Sequence, residues 1–212
     1  MIKETAEKLL ERPLTQEDGI NNEEIEAAEE LLNLKIPEPL KDLYLNIGNL
    51  SCFMTAFERF LKPEELYLEK GKLIFIEENQ EVCRWGIDPD EENPEVFMYI
   101  QLENDTEEEY HSENIKLSDF LNVMIYYQFT AGGYEYDGSI CGQQETEDFI
   151  KNAICDWEKA VDNNGLVIYW QPGMLLWYFT DREGKIQDST VLISSNSETK
   201  LQEMKKYGFK EF

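Results

Sequence analysis

Apolar residues recur along this chain at two spacings, and each spacing predicts its own kind of element. The first fifty residues follow a helical period. Ile2, Ala6, Leu9 and Leu10 share one side of a helix that must end before Pro13. A second stripe, Ile25, Ala28, Leu31 and Leu32, opposes a face made almost wholly of Glu. Asn21 or Asn22 can cap this helix, with Glu23 and Glu24 in its positive first turn. A third stripe, Leu40, Leu43, Tyr44 and Ile47, follows a break at Ile36-Pro37. Pro37 and Pro39 suit a first helical turn, where a missing N–H is no loss. Gly48 suits a left-handed residue closing that helix.

The period then shortens. Residues 51–62 fit either a strand or a buried helical turn, and 63–66 predict one turn of helix. Strands are expected over 73–77, after a turn at Lys70-Gly71-Lys72, and then over 81–87 and 95–102. A turn-rich loop over 88–94 separates the last two, and 103–114 reads as a polar acidic loop. Residues 116–130 return to the helical period, capped by Ser118, with Leu117, Phe120, Leu121, Met124, Ile125 and Phe129 inward. Ala131-Gly132-Gly133 ends that helix, and 134–144 has no assignable period. Residues 145–162 have helical spacing at Phe149, Ile150, Ala153, Ile154 and Trp157. A hairpin over 166–169 and 174–179 turns at Gln171-Pro172-Gly173. A strand over 186–193 and an amphipathic helix over 197–209, with Leu201, Met204 and Tyr207 on one face, complete the chain. Hairpin-linked strands without regular helical crossovers predict an α+β fold, helices packed on a mostly antiparallel sheet. With no repeat or linker in evidence, 1–212 is expected to be a single domain.

Charge changes this picture most. The 212 residues include 45 acidic and 19 basic ones, a net −26, which argues against nucleic-acid backbones and anionic membranes as ligands. The 11 Tyr, 11 Phe and 4 Trp exclude a disordered chain. No apolar run approaches the ~20 residues of a membrane-spanning helix, and MIKETAEKLLERP lacks the order of a signal peptide. Cys52, Cys83, Cys141 and Cys155 are scattered, without a CxxC pair. Neither zinc nor a disulfide framework is therefore expected, and the chain reads as reduced and cytoplasmic. The sole histidine, His111, lies in EEEYHSEN and reads as a solvated loop residue. DPDEEN lacks the glycine and twelve-residue pattern of an EF-hand, so no metal or cofactor is expected.

Acidic residues are densest over 81–113, where Arg84 is the one base. Asp88, Asp90, Glu91 and Glu92 lie on one loop, and Glu103, Asp105, Glu107, Glu108 and Glu109 on the next. Such density costs folding energy through self-repulsion, and capture of a basic protein partner would justify it, speeding encounter ~10–1000-fold at low salt. An acidic face serving solubility alone is the plain alternative. Tyr134 and Tyr136 add side chains of the kind enriched at interfaces. An enzyme would use paired carboxylates among aromatics, as glycoside hydrolases do. Glu135 and Asp137, with Trp157, Trp170 and Trp177, are the candidates, although 45 acids make some such pair inevitable.

One ordered set of motifs resembles a known family. Pro37, Leu43-Tyr44 and Ile47-Gly48-Asn49 precede Leu61-Lys62-Pro63-Glu64-Glu65-Leu66 and the strand Ile74-Phe75-Ile76. Glu78-Asn79-Gln80, Trp85-Gly86, Asp88-Pro89 and Leu117-Ser118-Asp119-Phe120-Leu121 follow. This order, over 21–130, resembles the SUKH superfamily, named for a fungal cell-wall synthesis regulator and its bacterial relatives. The resemblance implies helices packed on one sheet and a non-enzymatic role, since the family shares no catalytic motif. Its bacterial members are mostly immunity proteins that bind and neutralise secreted toxins, often nucleases. Its fungal member is a scaffold in glucan synthesis. The expectation is thus an immunity protein binding a basic toxin stoichiometrically, with a regulatory scaffold as the alternative. Residues 131–212 carry no quotable match and are read as an extension of the same domain.

Overall fold

A computed structural model describes residues 1–80, 82–100 and 110–211. It is an α+β fold whose strands all pair antiparallel, in two sheets. The chain divides into two compact units, Met1–Gln128 and Phe129–Phe212, each with a sheet of its own.

The first unit begins with α1 (Ile2–Leu10), α2 (Asn22–Leu32), α3 (Glu38–Ile47) and the short α4 (Ser51–Met54). Six strands follow: β1 (Arg59–Phe60), β2 (Tyr67–Glu69), β3 (Lys72–Glu77), β4 (Cys83–Ile87), β5 (Glu95–Ile100) and β6 (Tyr110–Lys116). The sheet order is β1-β3-β4-β5-β6, with β2 also on β3. The helix α5 (Leu117–Gly132) runs across the division between the units.

On α3 the expected stripe is fully buried at all four positions. On α2 it is not, because Leu31 is 78% exposed. At 100° per residue Leu31 lies 120° from Ile25 and 100° from Leu32, whereas Glu29 lies 40° and 60° from the same two residues. Glu29 is accordingly buried, and its carboxylate accepts bonds from Lys35 Nζ (2.6 Å), Lys41 Nζ (2.8 Å) and the Ile36 N–H (2.9 Å). Burial opposes its ionisation, but these donors prevail and bring its pKa down to about 2.

Gly48 is right-handed, with φ −60°, and not the left-handed cap expected. Its small size serves packing instead, since a Cβ there would lie 2.7 Å from Ile20 Cδ1. Asn49 ties the next turn down, its N–H donating to Asp18 O (3.0 Å) and its Nδ2 to Gly19 O (2.6 Å). Ser118 does not cap α5 by itself. Its N–H donates to Asn93 Oδ1 at 3.0 Å, so the loop before β5 supplies the cap. His111 is exposed, as expected, but residues 110–114 belong to β6 and not to a loop.

Phe75 of β3 meets Phe60 of β1 (6.3 Å between centroids) and, edge-on, Phe120 of α5 (6.1 Å). Register places Arg84, Tyr99 and Tyr110 together on one face of the sheet. Arg84 lies 4.1 Å above the Tyr99 ring and forks onto Glu69 (2.5 and 2.8 Å), and the Tyr110 hydroxyl donates to Glu69 (3.1 Å). The one base of the acidic segment thus covers an aromatic ring with its own stem and charge.

The second unit holds β7 (Tyr136–Cys141), α6 (Gln143–Ala153), β8 (Glu158–Asn163), β9 (Leu166–Gln171), β10 (Met174–Phe179), β11 (Thr190–Ser195), α7 (Glu198–Met204) and β12 (Lys210–Glu211). Its sheet order is β12-β7-β11-β10-β9-β8. Ile140, Phe149, Leu176, Ile193, Leu201 and Phe209 centre its core. Four expectations need correction here, the first being that the closing helix, expected over 197–209, is α-helical only over Glu198–Met204 and ends in a 3-10 turn before the left-handed Gly208. The unassigned stretch contains β7. The helix expected to 162 stops at Ala153, because 158–163 pair with β9. The strand expected from Ile186 begins at Thr190, after a 3-10 turn over Gln187–Ser189.

Candidate functional site

The acids singled out by density fall into two sets. Asp88, Asp90, Glu91 and Glu92 lie in the turn between β4 and β5, the last three exposed. Asp88 closes that turn by accepting the Asp90 N–H (3.2 Å) and lies 3.8 Å from Lys72 Nζ. Glu91 lies 3.5 Å from Lys116 Nζ. Ion pairs this exposed are weak, and the turn remains a cluster of solvated carboxylates. Glu103, Asp105, Glu107, Glu108 and Glu109 lie outside the described residues. In the second unit, Tyr134 packs edge-on against Phe129 (5.1 Å) and Tyr136 against the core. Both rings therefore do packing work. Glu135 and Asp137 are exposed, and register sets Asp137 on the sheet face that carries Trp170 and Trp177, while Trp157 packs on the core.

The motif residues behind the family resemblance have local structural roles. Pro37 precedes α3, and Pro63 opens a 3-10 turn. Pro89 sits half-buried in the acidic turn. A Cβ on Gly86 would lie 2.8 Å from Ile74 Cδ1, so its small size lets β3 approach. Trp85 Nε1 donates to Glu113 (2.9 Å). Glu78 accepts the N–H groups of Gln80 (3.1 Å) and Val82 (3.2 Å), which closes the turn into β4. Asn79 Nδ2 donates to the Phe57 carbonyl, while Gln80 is exposed.

That last contact leads to the unusual group of the first unit, which motif reading passes over. Glu58 is only 8% exposed, and its Oε2 has no hydrogen-bond partner. Its backbone is fixed from α5, where the fully buried Gln128 accepts the N–H groups of Phe57 and Glu58 (2.8 Å each). The Gln128 amide returns a bond to the Glu58 carbonyl. Around the carboxyl stand Glu78, Cys83 and Tyr127, with Glu113 beyond Cys83. The Phe57 and Tyr127 rings meet at 4.6 Å. Burial, and then the charge of Glu78, push the Glu58 pKa up to about 7, against a bond from the Asn79 N–H. The same neighbourhood raises the Cys83 thiol and the Tyr127 hydroxyl, in both cases chiefly by burial. Of the three buried carboxylates among the described residues, Asp18 is held by Arg12 and Glu29 by two lysines, and Glu58 forms no ion pair there.

Clefts lie elsewhere among the described residues. One of about 530 Å³ follows α2 over Glu26, Glu29, Glu30, Lys35 and Lys41. One of about 550 Å³ in the second unit is lined by Thr146, Ile150, Tyr178, Asp181 and Ile186 among others. Thr146 and Asp181 already spend their polar groups on local backbone. No three His, Cys, Asp or Glu side chains among the described residues are grouped to hold a metal ion, and no described helix is long and apolar enough to cross a membrane. Compared with known proteins, the chain matches no family model, no curated protein and no solved structure.

The two unusual carboxylates tilt stability in opposite directions with pH. The folded-state pKa of Glu58 lies above its ordinary 4.5, so its contribution is full below about pH 4.5 and is lost as pH rises through about 7. That of Glu29 lies below 4.5, so its contribution is full above that value and is lost as pH falls towards 2. Urea unfolding of the wild type and of Glu58→Gln should diverge between pH 5 and 8, the variant gaining about 1–3 kcal/mol relative to the wild type. A difference that stays constant with pH would show that Glu58 ionises normally.

Proposed function

We propose that this chain is a SUKH-type binding protein, acting in the cytoplasm, that neutralises a basic toxin domain by forming a stoichiometric complex through its first unit. One observation carries the reading. Charge is unevenly divided: Met1–Gln128 holds 31 acidic and 11 basic residues, net −20, while the rest holds 14 and 8, net −6. The unit that carries the motif order is therefore the unit that carries the field. A nuclease toxin is basic because it must bind phosphate, so an acidic inhibitor complements the surface that the toxin needs for its substrate.

Co-expression with the toxin domain encoded beside this gene should rescue growth and give a 1:1 complex on gel filtration. A toxin that still kills and forms no complex overturns the reading. So does capture of a resident glucan-synthesis enzyme instead, which supports the regulatory alternative. Asp90→Lys/Glu91→Lys/Glu92→Lys should slow association about ten-fold at low salt, and the difference should vanish near 0.5 M salt, where the screening length is a few ångströms. A rate unchanged at low salt would remove this turn from the encounter surface.

A further inference from the structure

We infer that the surface formed by Glu58 and Glu78 is the seat for one arginine side chain of the protein partner, a deepening that rests on the binding function proposed above. The guanidinium would donate hydrogen bonds to both carboxylates, and its stem would lie along Phe57 and Val82, two of the large apolar side chains this unit leaves exposed.

Three independent observations meet here. The first is charge without a counter-charge. Neither Glu58 nor Glu78 forms an ion pair among the described residues, whereas Asp18, Glu29, Glu69 and Glu77 each have a lysine or arginine. The second is the buried, unpartnered Oε2 of Glu58, a desolvated acceptor oriented by the fold and left unused by it. The third is rigidity. Gln128 and Asn79 fix the 57–58 backbone, and two backbone N–H groups fix the Glu78 carboxylate. With the backbone that carries Glu58 fixed and the Glu78 carboxylate held, little ordering entropy remains to be lost when a planar, five-donor cation binds. Arginine suits the place better than lysine, because its weakly hydrated plane tolerates aromatic neighbours such as Phe57 and Tyr127. The raised pKa of Glu58 agrees with a site built for a cation that arrives from outside.

The charged and titratable groups facing Glu58 come from the turn after β3 (Glu78), from β4 (Cys83) and from α5 (Tyr127), with Glu113 of β6 next to Cys83. An arriving guanidinium therefore meets no opposing cation among them. Glu58 is part-protonated near neutral pH, so binding should expel a proton.

The test has two arms. In the first, N-acetyl-arginine-amide is titrated into the isotopically labelled full chain, with N-acetyl-citrulline-amide as the uncharged control. The arginine derivative should shift the signals of Phe57, Glu58, Val82 and Trp85 Nε1. It should also lower the NMR titration midpoint of the Glu58 carboxyl, and the citrulline derivative should do neither. Equal effects of the two probes, or shifts confined to other surfaces, overturn the inference. In the second arm, Glu58→Gln/Glu78→Gln should weaken binding of the toxin domain at least ten-fold while the chain stays folded, since the change removes charge and keeps shape. If the wild type and the double variant bind equally, the arginine seat is wrong and the binding function stands. If the wild type forms no complex, the binding function is wrong and the first arm decides the seat.

Discussion

Replacing Gln128 by alanine should destabilise the first unit by about 3–6 kcal/mol, a large share of the roughly 5–15 kcal/mol that holds a domain together. Gln128 is fully buried, and its amide satisfies three backbone groups: the N–H of Phe57, the N–H of Glu58 and the carbonyl of Glu58. Alanine leaves all three without their partner, at about 1–3 kcal/mol each for those cut off from water, and it opens a cavity. Gln128→Glu separates the two halves of the clamp. It can still accept both N–H bonds, but it sets an oxygen against the Glu58 carbonyl and a charge beside a carboxyl that burial already disfavours. It should therefore recover more stability than the alanine variant as pH falls, because a second carboxylate is then neutralised. Urea midpoints at pH 5 and pH 8 check both claims. A loss under about 1 kcal/mol in Gln128→Ala would mean that residues 56–59 find their own bonds without α5.

Gln128 also illustrates what a sequence discloses and what it hides. The stripe of α3 was legible because four buried positions share one face, and periodicity alone locates them. The stripe of α2 fails at Leu31, because apolar identity without angle does not locate a buried face, and Glu29 takes the buried place beside Ile25. Hydropathy cannot reveal a carboxylate buried with two lysines from outside its helix, since its stability depends on partners brought by tertiary structure. Glu58 and Gln128 share this property. Each is a polar residue set among apolar ones, in CFMTAFERFL and VMIYYQFT, and that placement is the signal the sequence offers. What they do depends on their meeting across 70 positions. The acidic turn over 88–94, by contrast, was visible as composition, and the α+β class followed from hairpin-linked strands. The glycines were only half legible. Gly71 sits left-handed in the β2–β3 turn, as turn chemistry expects, but Gly48 is small for packing and not for its dihedral.

Gly19→Ala should be among the most damaging single changes available in the first unit, at least about 3 kcal/mol and enough to lose the N-terminal helices at physiological temperature. A Cβ at residue 19 would lie 1.8 Å from the Leu45 carbonyl oxygen and 2.5 Å from its carbon. Both are backbone atoms inside α3, whose buried stripe fixes where that backbone runs, so no side-chain rotation relieves the clash. The turn cannot back away either. Ile20 N–H donates to Tyr44 O (2.8 Å), Asn49 grips the Glu17, Asp18 and Gly19 carbonyls, and Arg12 forks onto Asp18 at 2.8 Å through both terminal nitrogens. Alanine must either part these bonds or displace α3, and Tyr44, whose hydroxyl donates to Leu61 O (2.7 Å), moves with α3. Gly71→Ala provides the contrast. It has the less favourable dihedral, φ +80° against an extended residue 19, but a Cβ there meets nothing within 4 Å. Its cost should stay near the roughly 1–2 kcal/mol of a left-handed alanine. Thermal unfolding of the two variants side by side separates steric from conformational cost. If Gly71→Ala proves the worse, the docking of residues 15–20 against α3 is looser than these distances require.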